Sequence, residues 1–552
     1  MKKFKLVAIL LVGIMAIPFI GCSSGESVEI DETKTQIYID HYNGGVGDAW
    51  FEPLKTRFEE EYKDYKLGDK TGVQLILSNH KNEGTQIMDT LTSSSMDVYF
   101  SDTFYYYEGL AKNCFLDISD VVESVNSDGK TIKSKFTPEQ EAYYNYNGKY
   151  YALPHYSFYG GLPYNIDVFE DNLLYFSNNK NVNGGFITSL TSTRSLGPDG
   201  KTDVIDGIDY SLDDGLPATY DEFFKLCDRM VACDVIPFTW SGQYGKAYFN
   251  SFLESLAISY EGKEQTMLNF TFNGTATNLV KSIDNNGNVV FDDPTPITEE
   301  NGYKIYQSAG RYYALKFIEK IFSNRDYYDF DNVNNGADSH TDAQTRFVLN
   351  SYDPSEKPIA FFVDGTYWEK EAEGVGAFAT LKNLYNINRD DVKFGFMPIP
   401  KVDETHIGEK NVLIESSNTL AFINSNVQTR CPEKIEILKE FLKFAYTDES
   451  LKEFTIKTLS PKGLNYTFSA EEKAQMPNFL RSVIDLKERC DMVYPYGANE
   501  KFIRNQQTLT FKAIFKTDNY QFAMNAIKDG VSAKDYFGQI KTTYDSGFWS
   551  VI

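Results

Sequence analysis

Short apolar strands alternate with helical stretches near the start of the chain, and this alternation constrains the fold more than any other feature. Residues 36–40, 73–77 and 97–101 are predicted strands, and a helical stretch separates each pair. The first helix carries an apolar residue at every fourth position: Trp50, Leu54, Phe58 and Tyr62. The order strand, helix, strand, helix, strand predicts an α/β sheet that is parallel at this point.

The carboxyl ends of these strands are where we expect a ligand. Open α/β sheets bind ligands beyond the carboxyl ends of their strands. Here those ends are residues 40–45 and 101–107, which are rich in Gly, Asn, Asp and Tyr. Tyr and Phe number 38 and 41 in the whole chain, and some of these rings could stack on sugar rings, although most are expected to pack in the interior.

Helix-start signals mark later parts of the chain. Thr219 with Glu222, and Ser469 with Glu472, form predicted capping boxes ahead of apolar stripes, the second of which runs from Met476 to Val483. A third helix is predicted over residues 433–446. Residues 178–215 and 284–301 are polar excursions from the fold. A chain of 552 residues exceeds what one hydrophobic core usually serves, so two or three domains are expected.

The N-terminus has the layout of a secretory signal. Three lysines precede an apolar run over residues 6–17, which is too short to span a membrane. Residues 19–22, Phe-Ile-Gly-Cys, resemble the bacterial lipobox, although Phe19 replaces the usual leucine. We therefore predict a signal peptide at residues 1–21, lipidation of Cys22 and a flexible tether at residues 22–35. An ordinary secreted protein is the alternative.

Composition excludes several classes of function. The net charge is −24 and the acidic residues are spread along the chain, which argues against nucleic-acid binding. The five cysteines after Cys22 show no CxxC spacing, and the five histidines are far apart, so no zinc or other metal site and no cofactor is predicted.

Eight segments in a fixed order resemble a known family. The chain is similar to family 1 extracellular solute-binding proteins, the substrate-binding lipoproteins of ABC importers that include maltose-binding protein. The segments that carry the resemblance are DVYFSD (97–102), GLAKNCFLDISD (109–120), NGKYYALPHY (147–156), GLPYNIDVFE (161–170), LPATYDEFFKLCDRM (216–230), FFVDGTYWE (361–369), VKFGFMPIPK (392–401) and the stretch 418–454. They cover most of residues 36–465.

The resemblance implies an α/β fold of two lobes, the type II periplasmic-binding-protein-like fold, with hinge strands and an enlarged C-terminal lobe. One lobe would hold residues 36–156 and 420–462, and the other residues 157–419 and 463–552. The chain would cross between them near residues 154–161, 419–423 and 460–465. The implied partners are an oligosaccharide, the permease subunits of an ABC transporter and, through the lipid anchor, the outer face of the cell membrane. We expect a monomer without enzymatic activity.

Site residues follow from matching positions in the family. A sugar between two lobes needs stacking rings and planar polar side chains. The candidates are Asn43, Asp48, Trp50, Asp102, Tyr105, Tyr106, His155, Trp240, Gln243, Tyr367, Trp368 and Asn465. Trp50 and His155 could instead pack in the interior, and the sequence does not say which of Tyr367 and Trp368 faces the ligand.

Two other classes of function stay open at this point. A surface glycoside hydrolase would also be anchored, acidic and rich in aromatic residues, and would need two carboxylates at the scissile bond. A surface glycan-binding protein without a transporter would share the binding site but not the permease.

Overall fold

The computed structural model describes residues 29–552 apart from 203, 206–207, 210–212, 416–417, 495–498 and 511–514. The predicted signal peptide and Cys22 lie outside the described residues. The two main sheets are built from ten strands: β1 (Thr35–Tyr42), β2 (Val73–His80), β3 (Val98–Ser101), β4 (Leu153–Pro154), β5 (Gly160–Asn165), β6 (Ile236–Thr239), β7 (Ile359–Phe362), β8 (Asp364–Gly365), β9 (Phe394–Met397) and β10 (Leu420–Ile423).

The first sheet has the strand order β2-β1-β3-β10-β4. β1 is parallel to β2 and to β3, which confirms the predicted parallel arrangement. β10 returns late in the chain and runs antiparallel to β3 and β4. Ile37 and Ile39 of β1 are fully buried, as the interior strand of a covered sheet requires.

The second sheet is centred on β5, whose six residues are all buried. β6 pairs with β7, β7 with β5 and β5 with β8, while β9 also pairs with β5 in antiparallel register, Phe396 opposite Pro163. Each sheet has its own helical cover. The molecule therefore has the two-lobed α/β fold that the sequence predicts.

Three segments lie together where the chain passes between the sheets. Residues 155–159 connect β4 of the first sheet to β5 of the second. Within this connection, the His155 amide donates to the Thr419 carbonyl (3.1 Å) and the Ser157 amide to the Pro461 carbonyl (2.8 Å). Tyr156 forms a β-bridge with Lys462. The exact division of the chain into two lobes remains a proposal.

Helices of six residues or more surround the sheets: α1 (Phe51–Glu61), α2 (Tyr106–Ala111), α3 (Pro138–Tyr144), α4 (Ile166–Asp171), α5 (Tyr220–Ala232), α6 (Gly245–Thr271), α7 (Ala309–Phe322), α8 (His340–Leu349), α9 (Trp368–Gly374), α10 (Ala377–Tyr385), α11 (Ile435–Ala445), α12 (Asp448–Thr458), α13 (Asn478–Arg489), α14 (Ala523–Lys528), α15 (Ala533–Thr543) and α16 (Ser546–Val551). α6 is the longest and is interrupted at Gly262, whose φ is 71°. No described helix is long and apolar enough to cross a membrane.

One predicted helix is divided in two. Ser469 and Glu472 do form a capping box, but the helix that they begin ends at Ala474. Pro477 follows, and α13 begins at Asn478. Proline cannot donate a helical hydrogen bond and disfavours helical geometry in the residue before it, so the apolar stripe does not continue through it. The helices predicted after Thr219 and over residues 433–446 are confirmed as α5 and α11.

Candidate ligand-binding cleft

The extended segment 155–159, which connects β4 to β5, sends alternate side chains to opposite sides. The Tyr156 hydroxyl donates to the Asp102 carboxylate, and the Phe158 ring stacks on Tyr367 with centroids 4.7 Å apart and planes at 24°. His155 points the other way, where its Nδ1 lies 2.6 Å from Lys462 Nζ. The period of two in an extended chain explains this division. Tyr156 (5% exposed) and Phe158 (8% exposed) therefore lie on the same side of this segment, where the two sheets meet, and we call this junction the candidate cleft and these two residues its floor.

Gly365 allows this floor to meet the wall of the second lobe. A Cβ atom at Gly365 would overlap the Phe158 ring, so only glycine lets the ring lie over β8. Tyr367 lies two positions after Gly365 and is half-buried, while Trp368 begins α9 and is fully buried against Phe347 and Phe394. Of the two candidate platform residues, the structure places Tyr367 at the cleft.

The opposite wall is the loop after β1. Tyr42 ends that strand and is half-buried, and its ring lies against Gly44. Gly45 has a φ of 122°, and a Cβ built on it would lie 3.3 Å from Glu371 Oε1 and 3.6 Å from the Tyr367 ring. The loop thus touches the start of α9, and the two lobes are closed on each other at this point.

Carboxyl groups surround the aromatic residues of the cleft. Burial, with Asp102, Glu83 and Glu371 nearby, raises the pKa of Tyr42 to about 12. Burial and Asp102 also hold the pKa of Tyr156 well above its usual range. All these tyrosines are therefore neutral hydrogen-bonding groups at physiological pH.

Behind Tyr367 lies a polar network on α8 and α9. Gln344 Nε2 donates to Glu371 Oε2 (2.7 Å), and His340 Nε2 lies 3.4 Å from Glu371 Oε1. The hydrogen bond to Glu371 raises the pKa of His340. Asp364 is 1% exposed, and burial, reinforced by Glu371, raises the pKa of its carboxyl well above the usual range. These residues fix the position of the α9 helix start in the cleft wall.

Four of the predicted site residues reach the cleft or its rim. Asp102 bonds to Tyr156, and Tyr367 stacks on Phe158. Asn43 is half-buried in the loop after β1, where its side chain accepts from the Gly47 amide (3.1 Å). Tyr105 is half-buried at the carboxyl end of β3, with Glu83 close to its hydroxyl.

The predicted stacking tryptophans are instead interior residues. All four tryptophans of the chain are buried, at 3% exposure or less. Trp50 packs between His41 and Phe100. Trp240 follows β6, as a ligand contact would, but its ring turns inward beneath Gly245. Trp368 is the first residue of α9, and its ring points into the core. These three rings therefore pack in the interior.

Two further candidates pack in the interior. Tyr106 is fully buried and donates to the Tyr144 carbonyl (2.9 Å). His155 is fully buried beside Lys462, with its ring 6.0 Å from that of Trp50. Its position corrects the prediction of a ligand contact in favour of hinge packing, the alternative that the sequence left open.

The last three candidates are exposed away from the cleft floor. The Asp48 carboxylate accepts from Asn79 Nδ2 (2.7 Å), and the backbone N–H of Gln243 donates to the backbone carbonyl of Asp338 (2.9 Å). Asn465 lines a cavity of about 390 Å³ together with Tyr466 and Lys487. A larger cavity of about 540 Å³ lies elsewhere, between α13 and a group of residues that comprises Asp199, Lys201, Thr202 and Asp213. Neither cavity is lined by the cleft aromatics, so volume alone does not locate the site.

Sequence reasoning missed Tyr42, Phe158, Asp364 and Glu371. Tyr42 is the last residue of β1, and Phe158 follows Tyr156 by two positions in the extended segment between β4 and β5. The strand-end rule and the alternation of side chains are signals that could have found both. Asp364 and Glu371 have no such signal, because their approach to the cleft depends on the packing of β8 against α9.

Comparison with known proteins finds similar folds among solved structures. No protein-family model matches the chain, and no curated protein matches it. Solved structures do match over nearly the full length. Maltose-bound MalE3 of T. maritima is 14% identical, with a TM-score of 0.52 over 94% of this chain and 99% of that protein.

Two further structures are similar to the same degree. A chitin oligosaccharide binding protein is 14% identical with a TM-score of 0.51, over 93% of this chain and 98% of that one. The solute-binding protein RafE in complex with raffinose is 14% identical with a TM-score of 0.52, over 93% and 99%. The chain has the fold of these solute-binding proteins. The two-lobed α/β fold that the sequence predicts is thus confirmed.

Proposed function

We propose that this chain is the extracytoplasmic solute-binding protein of an importer, which captures an oligosaccharide between its two lobes and delivers it to a membrane permease. The observation that carries the proposal is the cleft itself. Its floor, Tyr156 and Phe158, belongs to the segment that connects the two sheets. Tyr42 ends β1 of the first sheet, and Tyr367 follows β8 of the second. A ligand held there contacts both lobes only when they close.

Closure is the step that would convert binding into a signal. A ligand shifts the equilibrium toward the closed state only by the difference between its affinities for the two states. Contacts to Tyr42 on one lobe and Tyr367 on the other supply such a difference, because hinge motion separates them. Ring stacking together with the Asp102 carboxylate suits the apolar faces and hydroxyl edges of a sugar.

Binding calorimetry with a panel of plant, host and starch-derived oligosaccharides tests the proposal. At least one sugar should bind, and Tyr367→Ala should weaken that binding by about ten-fold or more, since a stacking ring contributes on the order of 1–2 kcal/mol. Tyr385→Ala is the matched control, because Tyr385 is a half-buried tyrosine whose hydroxyl donates to Asp353. Unchanged affinity in Tyr367→Ala would remove this ring from the site.

The alternative functions are separated by two observations. The similar structures named above are binding proteins, which favours capture without bond cleavage. Release of reducing sugar from a bound oligosaccharide would instead establish a glycoside hydrolase. If a permease gene lies beside this gene, its deletion should abolish import of the sugar when the chain serves an importer, whereas unaffected import would favour a surface glycan-binding protein.

A further inference from the structure

Three basic side chains are buried together where the chain passes between the two sheets. They are His41, near the end of β1, His155 and Lys462, and each is 2% exposed or less. Lys462 Nζ lies 2.6 Å from His155 Nδ1, and the centroids of the His155 and His41 rings are 6.0 Å apart. We call these three residues the basic cluster.

Aromatic rings surround the amino group of Lys462. The ring centroids of Phe454, Tyr446 and Phe100 lie 4.2, 5.0 and 5.2 Å from Nζ, and that of Trp50 lies at 5.7 Å. All four rings are 3% exposed or less, and burial holds the pKa of Tyr446 well above its usual range, so none of them carries a charge. Ring faces attract a single cation, but a second buried cation beside the first is repelled by it.

Few charges compensate the basic cluster. Among the described residues, no carboxylate forms an ion pair with any of its three members. Asp48 reaches His41 only through Asn79, whose Nδ2 donates to the Asp48 carboxylate (2.7 Å). His80 also acts on His41, but its ring is bonded to Asp40. Positive charge added to the cluster therefore has no direct counter-charge.

The hydrogen bonds show where an added proton would lie. Because Asn79 donates to Asp48 through its nitrogen, its oxygen accepts from His41 Nδ1, 2.9 Å away, and the unprotonated nitrogen of His41 is Nε2. His155 accepts from Lys462 at Nδ1. The Nε2 atoms of both histidines are buried and have no hydrogen-bond partner within the described part of the chain. A proton added at His41 Nε2 would therefore have no acceptor.

The basic cluster lies behind the floor of the candidate cleft. His155 precedes Tyr156, whose hydroxyl bonds to Asp102 on the cleft side, and Lys462 forms a β-bridge with Tyr156. Water stabilises a cation that burial destabilises, so protonation favours an arrangement in which these segments separate. We infer that the junction is a pH-sensitive joint, in which protonation of the basic cluster in mild acid loosens the segments between the sheets and opens the lobes. The inference concerns the junction alone and does not depend on which ligand the cleft takes.

The direction of the pKa shifts gives the pH range. Burial lowers the pKa of His41 from 6.5 to about 4, and burial together with Lys462 lowers the pKa of His155 well below 6.5. A base whose pKa is lowered in the closed arrangement stabilises that arrangement above pH 6.5, and this contribution is lost as the pH falls toward 4. The joint should therefore be firm at neutral pH and loose in mild acid.

Hydrogen–deuterium exchange of the full mature chain at about pH 7.5 and about pH 5.5 tests the inference. Exchange rates are divided by the intrinsic rate at each pH. For peptides that cover residues 153–160 and 458–466, the corrected rates should be about ten-fold higher at the lower pH, because each pKa unit corresponds to a factor of ten. Peptides of α7 should not change. Small-angle X-ray scattering should give a larger radius of gyration at the lower pH.

Variants of the basic cluster make the test specific. His41→Gln should reduce the increase in exchange, and the double variant His41→Gln/Lys462→Met should exchange equally at the two pH values. His406→Gln is the matched control, because His406 is a half-buried histidine bonded to Asp403, and it should respond like the native chain. Melting temperatures at neutral pH show whether each variant folds. If the double variant does not fold, His41→Gln alone decides.

The outcomes are independent of sugar binding. Equal corrected exchange at the two pH values in the native chain would overturn the inference, and so would a native response in the folded cluster variants. An increase spread evenly over all peptides would also overturn it, because acid would then loosen the whole molecule. Failure of every oligosaccharide to bind would reject the proposed function and leave the pH-sensitive joint standing.

Discussion

The Tyr144 hydroxyl lies 2.8 Å from the Tyr494 hydroxyl, and this bond joins two parts of the chain that are 350 positions apart. Tyr144 ends α3, which lies between β3 and β4 of the first sheet in the chain, and Tyr494 follows a strand, Asp491–Val493, that comes after α13. Lys263 of α6 and Glu139 of α3 form a second contact between distant parts of the chain (2.8 Å), and we expect both contacts to favour the closed arrangement of the lobes.

We predict that Tyr144→Phe opens the molecule. Loss of one buried hydrogen bond costs about 0.5–1.5 kcal/mol, which is enough to shift a closed-to-open equilibrium by about two- to ten-fold. Small-angle X-ray scattering of the ligand-free protein should give a larger radius of gyration for the variant. Tyr150→Phe, which removes a hydroxyl bonded to Glu141 on the same side of the molecule, is the control. An unchanged radius would show that this bond does not hold the lobes together.

Lys462 should destabilise the fold at neutral pH. Its amino group is buried at the junction between the sheets, where Nζ lies 4.2 Å from the centroid of the Phe454 ring and 5.2 Å from that of Phe100. His155 Nδ1 is its hydrogen-bond partner. Burial lowers the pKa of Lys462 well below 10.5. Lys462→Met should raise the free energy of unfolding by about 1–3 kcal/mol, less the hydrogen bond that His155 loses.

The pH dependence of the free energy of unfolding tests whether burial of Lys462 causes the destabilisation. The pKa of Lys462 is lowered in the folded state, so the unfolded chain binds more protons below about pH 10.4. The free-energy cost of burying Lys462 is therefore absent above that pH and grows as the pH falls. The stability gain in Lys462→Met should therefore shrink as the pH rises toward 10.4. Chemical denaturation at several pH values measures this, with exposed Lys457→Met as the control. A pH-independent gain would contradict it.

Glu369 should produce the opposite dependence. It is fully buried on α9 and bonded to Arg389, and burial raises its pKa from 4.5 to about 7, with Arg389 opposing that shift. A carboxyl with a raised pKa stabilises the fold below 4.5, and this contribution is lost as the pH rises through 7. Relative to Glu369→Gln, the native chain should lose about 3 kcal/mol across that range.

Melting temperatures at about pH 5 and pH 8 check the Glu369 prediction. The difference between the native chain and Glu369→Gln should widen at the higher pH. Glu356→Gln, at an exposed glutamate that does not act on Glu369, should show no such change. If both variants respond alike, the effect does not come from the buried carboxyl.

Lipidation of Cys22 is tested in a bacterial host that processes lipoproteins. The native chain should fractionate with membranes and carry an acyl mass at its N-terminus, because two or more acyl chains hold a protein stably at a bilayer. Cys22→Ala should release the protein into the soluble extracytoplasmic fraction. Cys233→Ala, at a half-buried cysteine, should stay with the membrane. Membrane association of Cys22→Ala would refute the anchor.

The sequence predicted the fold better than the site. Strand and helix order from residues 36 to 101 is local information, because periodicity records which faces are buried, and the structure matches it. Which ring faces a cleft is not local. Trp368 begins α9 and turns into the core, whereas Tyr367, one position earlier, stays at the surface of the cleft.

The stacking tryptophans were mispredicted for a related reason. Trp240 lies at the carboxyl end of β6, the expected place for a ligand contact. Its ring nevertheless packs in the interior, because residue 245 is a glycine and leaves room for it there. Asp364 and Glu371 were not predicted, because only the packing of β8, α8 and α9 brings them near Tyr42. Patterns in sequence locate strand ends, and tertiary packing decides which side chains at those ends are accessible.

Tyr156 and Phe158 belong to the segment that joins the two sheets, so in the proposed function the ligand contacts and the joint between the lobes are the same few residues. A substitution there that favours a different sugar also changes the energy of bending. Selectivity and the open-to-closed balance of this protein should consequently change together, and adaptation to a new nutrient without such coupling would have to begin at Tyr42 or Tyr367, on the walls.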